Sequence, residues 1–340
     1  HNYGVFVTSP AETSQEIPES TKDYFRPVSI ATIDSKLIVE AELIAQGFTS
    51  ASEWAYKITS FINACRDEFS RDQSQTYGMT TIRAILTLTN SMKQSSDPNV
   101  CEDQIIVRSI KSICMKSLPT NSFSQFERIL NNYFPDVIAE SVMDQQFHTF
   151  LNIAAAELQL QMNPYLLEKA VQLDESFGIY MGIIILGETC VGKSILIQLL
   201  ETTYTLLSEQ NEQYIPIDKY VICPKTLTTS ELWGSYNPEN DDWTEGLIDQ
   251  VFKQACVRAK EHEQWIVFDG NVDSTWIENM NSALDESRTL CFDNLKRVKL
   301  NSLYHILFET TDISLASPSS ISKCGIVYME TSGFPLKCFT

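Results

Sequence analysis

Two periodicities divide the chain. From Asp34 to about Met92 apolar residues recur every three or four positions: Leu37, Ile38, Ala41, Ile44 and Ala45, then beyond Gly47 Trp54, Ile58, Phe61, Ile62 and Cys65, then Ile82, Ile85, Leu86 and Leu88. That is the spacing of helices with one face in a core. Ser95-Ser96-Asp97-Pro98 breaks the pattern, which resumes from Ile105 to Met115 and from Phe123 to Leu130, so residues 34–134 predict a helical unit. Ahead of it, YGVFVTSP at 3–10 reads as a short buried strand ending at Pro10, followed over 11–22 by a loop rich in Glu, Ser, Thr and Pro. A strand without partners beside a helical unit is expected to complete a sheet whose other strands lie upstream. With His1 as first residue, the chain is expected to be a piece of a longer polypeptide.

Beyond Phe134-Pro135-Asp136, helices are predicted over Gln145 to Leu160 and Pro164 to Phe177, and then the period changes. Tyr180 to Leu186 is a short continuous apolar run, the pattern of a parallel strand covered on both faces, and similar runs recur at Tyr220 to Cys223, Trp265 to Phe268, Tyr304 to Phe308 and Ile326 to Met329. Helical patterns over Ser194 to Leu207, Leu247 to Ala259 and Trp276 to Leu284 separate them, which predicts an α/β layer fold with a five-stranded parallel sheet. Residues 289–300, two alternating arms around Asp293-Asn294, predict an inserted β-hairpin.

Length and charge narrow the class. The 340 residues leave room for two domains, and a net charge of −19 repels nucleic acid and anionic membrane, so neither is expected as a partner. Nine scattered cysteines without a C-x-x-C pair, and histidines at 1, 148, 262 and 305 that do not group, suggest neither a disulfide framework nor a zinc site; a reducing compartment is expected. No apolar run approaches the roughly 18 residues of a membrane span, so a soluble intracellular protein is expected.

Gly187-Glu188-Thr189-Cys190-Val191-Gly192-Lys193-Ser194 matches G-x-x-x-x-G-K-[ST], directly after a predicted strand and opening a predicted helix. The glycines permit a turn that aims backbone N–H groups at a phosphate, and the helix N-terminus adds partial positive charge. Lys193 is expected to reach the β- and γ-phosphates of ATP, or the β-phosphate of ADP, and Ser194 to ligate Mg²⁺. A second Mg²⁺ ligand is expected at Asp269, which ends the run Trp265-Ile266-Val267-Phe268. In ring-forming P-loop ATPases a glutamate follows that aspartate and polarises water; here the next residue is Gly270. Asp273, Glu278 and Asp285 lie nearby but read as solvated helix positions. The site is therefore expected to bind ATP and turn it over slowly or never. The competing reading is an autonomous P-loop ATPase or small-molecule kinase using a displaced carboxylate, although only Arg288 and Arg297 follow to furnish a kinase lid.

The stretch from Cys223-Pro224-Lys225, through Leu232-Trp233-Gly234-Ser235-Tyr236, Trp243 to Leu247, Trp265 to Gly270, Trp276 to Asn281 and Phe308 to Asp312, to Ser317 through Gly325, closely resembles the second AAA+ module of dynein heavy chains. Upstream, Tyr24 to Val28 and Tyr77-Gly78-Met79 look like the end of the first module's large domain and its helical small domain. The resemblance implies three segments: 1–33, the end of a preceding AAA+ large domain; 34–134, its helical small domain; and 135–340, a P-loop AAA+ large domain with helices on both faces of the sheet and a hairpin insertion. It further implies part of a ring motor on microtubules, with neighbouring modules and other dynein chains as partners, ATP held as a structural element in this module, and a cytoskeletal, axonemal setting in cilium or flagellum. Lys323 stands where that family carries an arginine finger acting on the preceding module, Ser9 where it carries Asn, and Thr80 where it carries Arg. Lysine lacks the planar fork of arginine, so weaker hydrolysis at the preceding module is expected. Trp233, Trp243 and Trp276 read as packing residues, and Lys296-Arg297-Lys299 as a solvated face.

Overall fold

The computed structural model describes residues 4–7, 20, 23–29, 34–69, 77–95, 101–116, 118, 122–135, 137, 145–210, 214–237, 242–259, 261–285 and 287–331. Residues 4–7 are extended chain with Val5, Phe6 and Val7 exposed, and Tyr3 and 8–10, including Ser9, lie outside the described residues.

Five helices follow the predicted periodicity: α1 (Ser35–Ala45), α2 (Ala51–Phe69), α3 (Met79–Ser95), α4 (Glu102–Met115) and α5 (Phe123–Tyr133). Ala55, Ile58, Ile62, Cys65 and Phe69 of α2 recur at helical spacing and are buried, and they share one core with residues from the other four helices. Phe61 sits at its centre, packed edge-on against Phe126 with ring centroids 5.6 Å apart.

Two further helices, α6 (Gln145–Glu157) and α7 (Pro164–Phe177), precede the sheet. α7 starts where the sequence places it, because Asn163 caps the Leu166 amide and Pro164 occupies the first turn, where its missing N–H costs nothing. The sheet contains β1 (Gly182–Gly187), β2 (Ile217–Ile222), β5 (Glu263–Asp269), β8 (Tyr304–Thr310) and β9 (Gly325–Met329), all parallel, in the order β2-β5-β8-β1-β9. Alternate residues feed two cores. Ile184, Ile266, Phe268, Ile306 and Phe308 join one, while Ile183, Ile185, Trp265, Val267 and Leu307 join the other, which explains why each strand reads as an unbroken apolar run. β2 departs from the expectation of burial on both faces: as an edge strand it leaves Val221 61% exposed.

The first of these cores also takes α9 (Thr229–Trp233), α10 (Leu247–Arg258), α11 (Ser274–Ile277) and α12 (Asn281–Leu284). The single helix predicted over 276–284 is thus broken by a 3₁₀ turn at Glu278–Met280. On the second core lie α6, α7 and α8 (Lys193–Gln210). The hairpin of β6 (Thr289–Cys291) and β7 (Arg297–Lys299) is present, and a second, unforeseen one pairs β3 (Gly234–Tyr236) with β4 (Trp243–Glu245). Lys296 is not merely solvated: its ammonium pairs with the fully buried Asp249 in the first turn of α10 and ties the hairpin down, while Arg297 and Lys299 remain exposed. Trp233 and Trp276 are buried as packing residues, Trp233 beside Phe292 of the hairpin, and Trp243 is partly buried beside Tyr236.

Buried ionic contacts join α4 to α7. Lys116, 3% exposed, pairs with Glu175 at 3.2 Å, Ser112 donates to the same carboxylate, and the Tyr328 amide of β9 donates to the Lys116 carbonyl. Burial pulls the Lys116 ammonium below its ordinary pKa, and Glu175 opposes that shift. A short helix α13 (Pro318–Ile321) leads into β9. Among the described residues no helix is long and apolar enough to cross a membrane, and the cysteines are unpaired thiols.

Candidate functional site

The loop from Gly187 to Ser194 joins the end of β1 to the start of α8, at the carboxyl edge of the sheet. Parallel α/β sheets place ligand sites there, because strands end and helices begin at that edge. Gly187 is required by contact: a Cβ there would stand 2.5 Å from the Met329 carbonyl of the neighbouring strand and 2.9 Å from Val191. Farther along, Cys190 (φ 65°) and Gly192 (φ 89°) take left-handed backbone and curl the chain, and Val191 is buried beneath. Glu188, Thr189 and Cys190 form the exposed crest.

Lys193 opens α8 with its side chain folded into the loop. Its ammonium donates to the carbonyls of Gly187 at 2.8 Å and Glu188 at 2.6 Å. Burial lowers its pKa, and the carboxylates of Glu309 and Asp269 push it back up. The next residue, Ser194, donates its hydroxyl to Glu309 Oε1 at 2.5 Å. Asp269 ends β5 as an exposed acid, in register with Glu309 on β8. The structure therefore brings Lys193, Ser194 and Asp269 to one edge with the loop, and adds a second carboxylate beside them.

Glu309 is the residue that sequence reasoning missed. It is 9% exposed; burial raises its pKa, the Ser194 hydrogen bond opposes this, and the charge of Asp269 reinforces it. A signal existed: Tyr304-His305-Ile306-Leu307-Phe308-Glu309 repeats the pattern of Trp265-Ile266-Val267-Phe268-Asp269, an apolar run ending in an acid. A serine hydroxyl, two carboxylates and a lysine beside a glycine-lined loop suit a phosphate with a hard divalent cation, since Mg²⁺ takes oxygen donors.

Gly270 follows Asp269 at φ +146°, backbone that side-chain-bearing residues rarely adopt, and its amide donates to the Glu309 carbonyl at 3.0 Å. The other nearby acids are engaged elsewhere or point to solvent. Asp273 caps α11 through the Thr275 amide, Asp285 pairs with Lys323, and Glu278 is exposed. Lys323 lies between α13 and β9, reaching Asp285 at 3.0 Å and the Asn281 carbonyl at 3.4 Å. Thr80 is exposed in the first turn of α3. Arg297 is on the hairpin, and Arg288 precedes β6 at φ 43°.

A family model described as the hydrolytic ATP binding site of the dynein motor region matches residues 1–194, and one described as an AAA domain of the dynein-related subfamily matches residues 182–322. The chain is 30% identical over 93% of its length to dynein axonemal heavy chain 12 of Rattus norvegicus, covering 10% of that protein. It is 30% identical over 93% of its length to dynein axonemal heavy chain 6 of Homo sapiens, covering 8% of it, and 28% identical over 96% to human dynein axonemal heavy chain 9, covering 7%. The chain thus spans a tenth or less of the length of these relatives.

Proposed function

The chain belongs to the dynein heavy chain family, as an AAA+ nucleotide-binding region, and from that premise we propose that its P-loop holds Mg²⁺-ATP or Mg²⁺-ADP as a structural or regulatory element with little or no hydrolysis. In this reading residues 135–340 form the large domain that carries the loop, 34–134 the helical small domain of the preceding module, and 1–33 the end of that module's large domain. The loop from Gly187 to Gly192 wraps the phosphates, Lys193 neutralises their charge, and Ser194 and Asp269 face the cation. Mg²⁺ supplies charge compensation for the phosphates when bound.

The observation that carries the absence of turnover is Gly270. The position after Asp269 offers no proton acceptor, and its φ of +146° opposes replacement by a residue that would. One observation favours the second reading, an autonomous P-loop enzyme with a displaced carboxylate: Glu309 is such a group, one strand away. Its hydrogen bond to Ser194 engages it at the cation-facing hydroxyl, which supports retention of nucleotide over attack on it. Phosphate release by the purified chain separates the two, since fast release supports the enzyme.

At the level of the parent polypeptide, we place the chain in an ATP-driven microtubule motor of the axoneme, in the cytoskeleton of cilium or flagellum, with neighbouring AAA+ modules of the same heavy chain as its immediate partners. Lys323 then faces the preceding module's site as a weak substitute for an arginine finger, held meanwhile by Asp285.

A further inference from the structure

A serine hydroxyl has one proton and two lone pairs. At Ser194 the proton is committed to Glu309 Oε1 at 2.5 Å, so the oxygen offers only lone pairs to anything else that approaches it. Glu309 is itself fixed. It lies on a central strand between β5 and β1, its carbonyl accepts the Gly270 amide at 3.0 Å, and it is 91% buried. The in-register Asp269 places a second negative charge beside it, exposed where Glu309 is enclosed. Of two acids at adjacent strand ends, one is thus tied to the serine and the other faces solvent.

We propose that Glu309 is a positioning residue for the cation of this nucleotide site, accepting the Ser194 proton so that the hydroxyl presents its lone pairs to Mg²⁺ while Asp269 remains available as the acidic ligand. The proposal rests on the nucleotide reading given above. It divides between two strands the tasks of orienting the hydroxyl and of facing the cation, and it gives the carboxylate at 309 work other than activating water. Partners of this kind, one shell out from the metal, commonly change metal affinity about 10–100-fold when removed.

The test is the Mg²⁺ dependence of binding of a fluorescent ADP analogue to the whole chain, titrated in EDTA and in excess Mg²⁺, for wild type, E309A and E309Q, with melting curves to establish folding. The wild type is expected to bind more tightly with Mg²⁺, and in E309A that enhancement is expected to fall by about tenfold or more. E309Q, whose amide oxygen still accepts the hydroxyl proton, is expected to lie between the two. An unchanged enhancement in E309A overturns the proposal, as does E309Q falling as low as E309A, because charge and not orientation would then be responsible. Loss of nucleotide binding in EDTA by both variants assigns Glu309 to the loop's integrity and also overturns it. A wild type that binds the nucleotide without any Mg²⁺ enhancement overturns this proposal alone, whereas a wild type that binds no nucleotide overturns the underlying reading.

Discussion

Ser194 and Glu309 are 115 positions apart in sequence and share a hydrogen bond of 2.5 Å at the carboxyl edge of the sheet. That contact joins the phosphate-loop helix α8 to the central strand β8, and it determines which of two adjacent acids is engaged and which is free to face a cation.

Removal of the loop lysine should empty the site without unfolding the chain. Lys193 is the one cation at the curl of the loop, and Lys193→Ala is expected to weaken ADP or ATP binding by about 100-fold or more, the scale of deleting one member of a buried charge pair. Its melting temperature in the absence of nucleotide should stay close to wild type. Equilibrium binding together with thermal melts checks both parts.

The backbone at Gly270 predicts a cost for any side chain. A Cβ would meet no clash, only ordinary contacts with Lys225 at 3.8 Å and Pro224 at 3.9 Å, so the penalty comes from the φ of +146° alone. Gly270→Ala is expected to cost about 1–3 kcal/mol in urea unfolding, with no change in m-value. Neutral behaviour would remove backbone strain as a reason why a glutamate is missing here.

The core beneath the site should be intolerant of truncation. Trp265 is fully buried between Phe177 at 4.8 Å and Tyr204 at 5.8 Å, and its indole donates to Glu263 at 3.2 Å. Trp265→Ala is expected to lose about 3–5 kcal/mol of stability, read from the same denaturant curves.

His305 should make the fold acid-sensitive. Burial holds its pKa at about 4, against an ordinary 6.5, with Arg288 adding to the shift, and its Nδ1 has no partner among the described residues. Because the folded pKa is depressed, the unfolded chain binds the extra proton, so this contribution to stability is present above pH 6.5 and is lost as the pH falls through 4. The difference amounts to about 3 kcal/mol. His305→Phe, which keeps a ring against Phe177, is expected to show a shallower fall in unfolding free energy between pH 6.5 and 4 than wild type. Parallel curves for the two proteins would contradict the assignment.

Lys323 carries a prediction for the parent motor. If lysine is a weak finger, Lys323→Arg in the intact heavy chain raises steady-state phosphate release, and no gain counts against that role. The contacts to Asp285 and the Asn281 carbonyl are those an arginine must leave or share.

The strands of the sheet were legible because each carries residues for two cores, and a run covered on both faces has no polar positions to disguise it. That same signal overreached once. Tyr220 to Cys223 has the composition of a central strand but lies at an edge, which only the strand order reveals. The hairpin of β3 and β4 escaped notice because three-residue strands are too short to show alternation. In the site, the P-loop was readable because its residues are contiguous and the chemistry dictates their spacing. Glu309 could be noticed as an acid ending an apolar run, but its role could not be read, since that depends on parallel register with Asp269 and on a hydroxyl more than a hundred positions away. The pairings of Lys296 with Asp249 and of Lys323 with Asp285 were hidden for the same reason, being products of tertiary structure between distant segments.

The most direct test of the account is to identify the nucleotide that stays with the purified chain in Mg²⁺ and to follow phosphate release from added ATP in a single turnover. The account predicts nucleotide bound in wild type and absent from Lys193→Ala, with phosphate release no faster than in that variant. Rapid phosphate release by wild type that Lys193→Ala abolishes would contradict it.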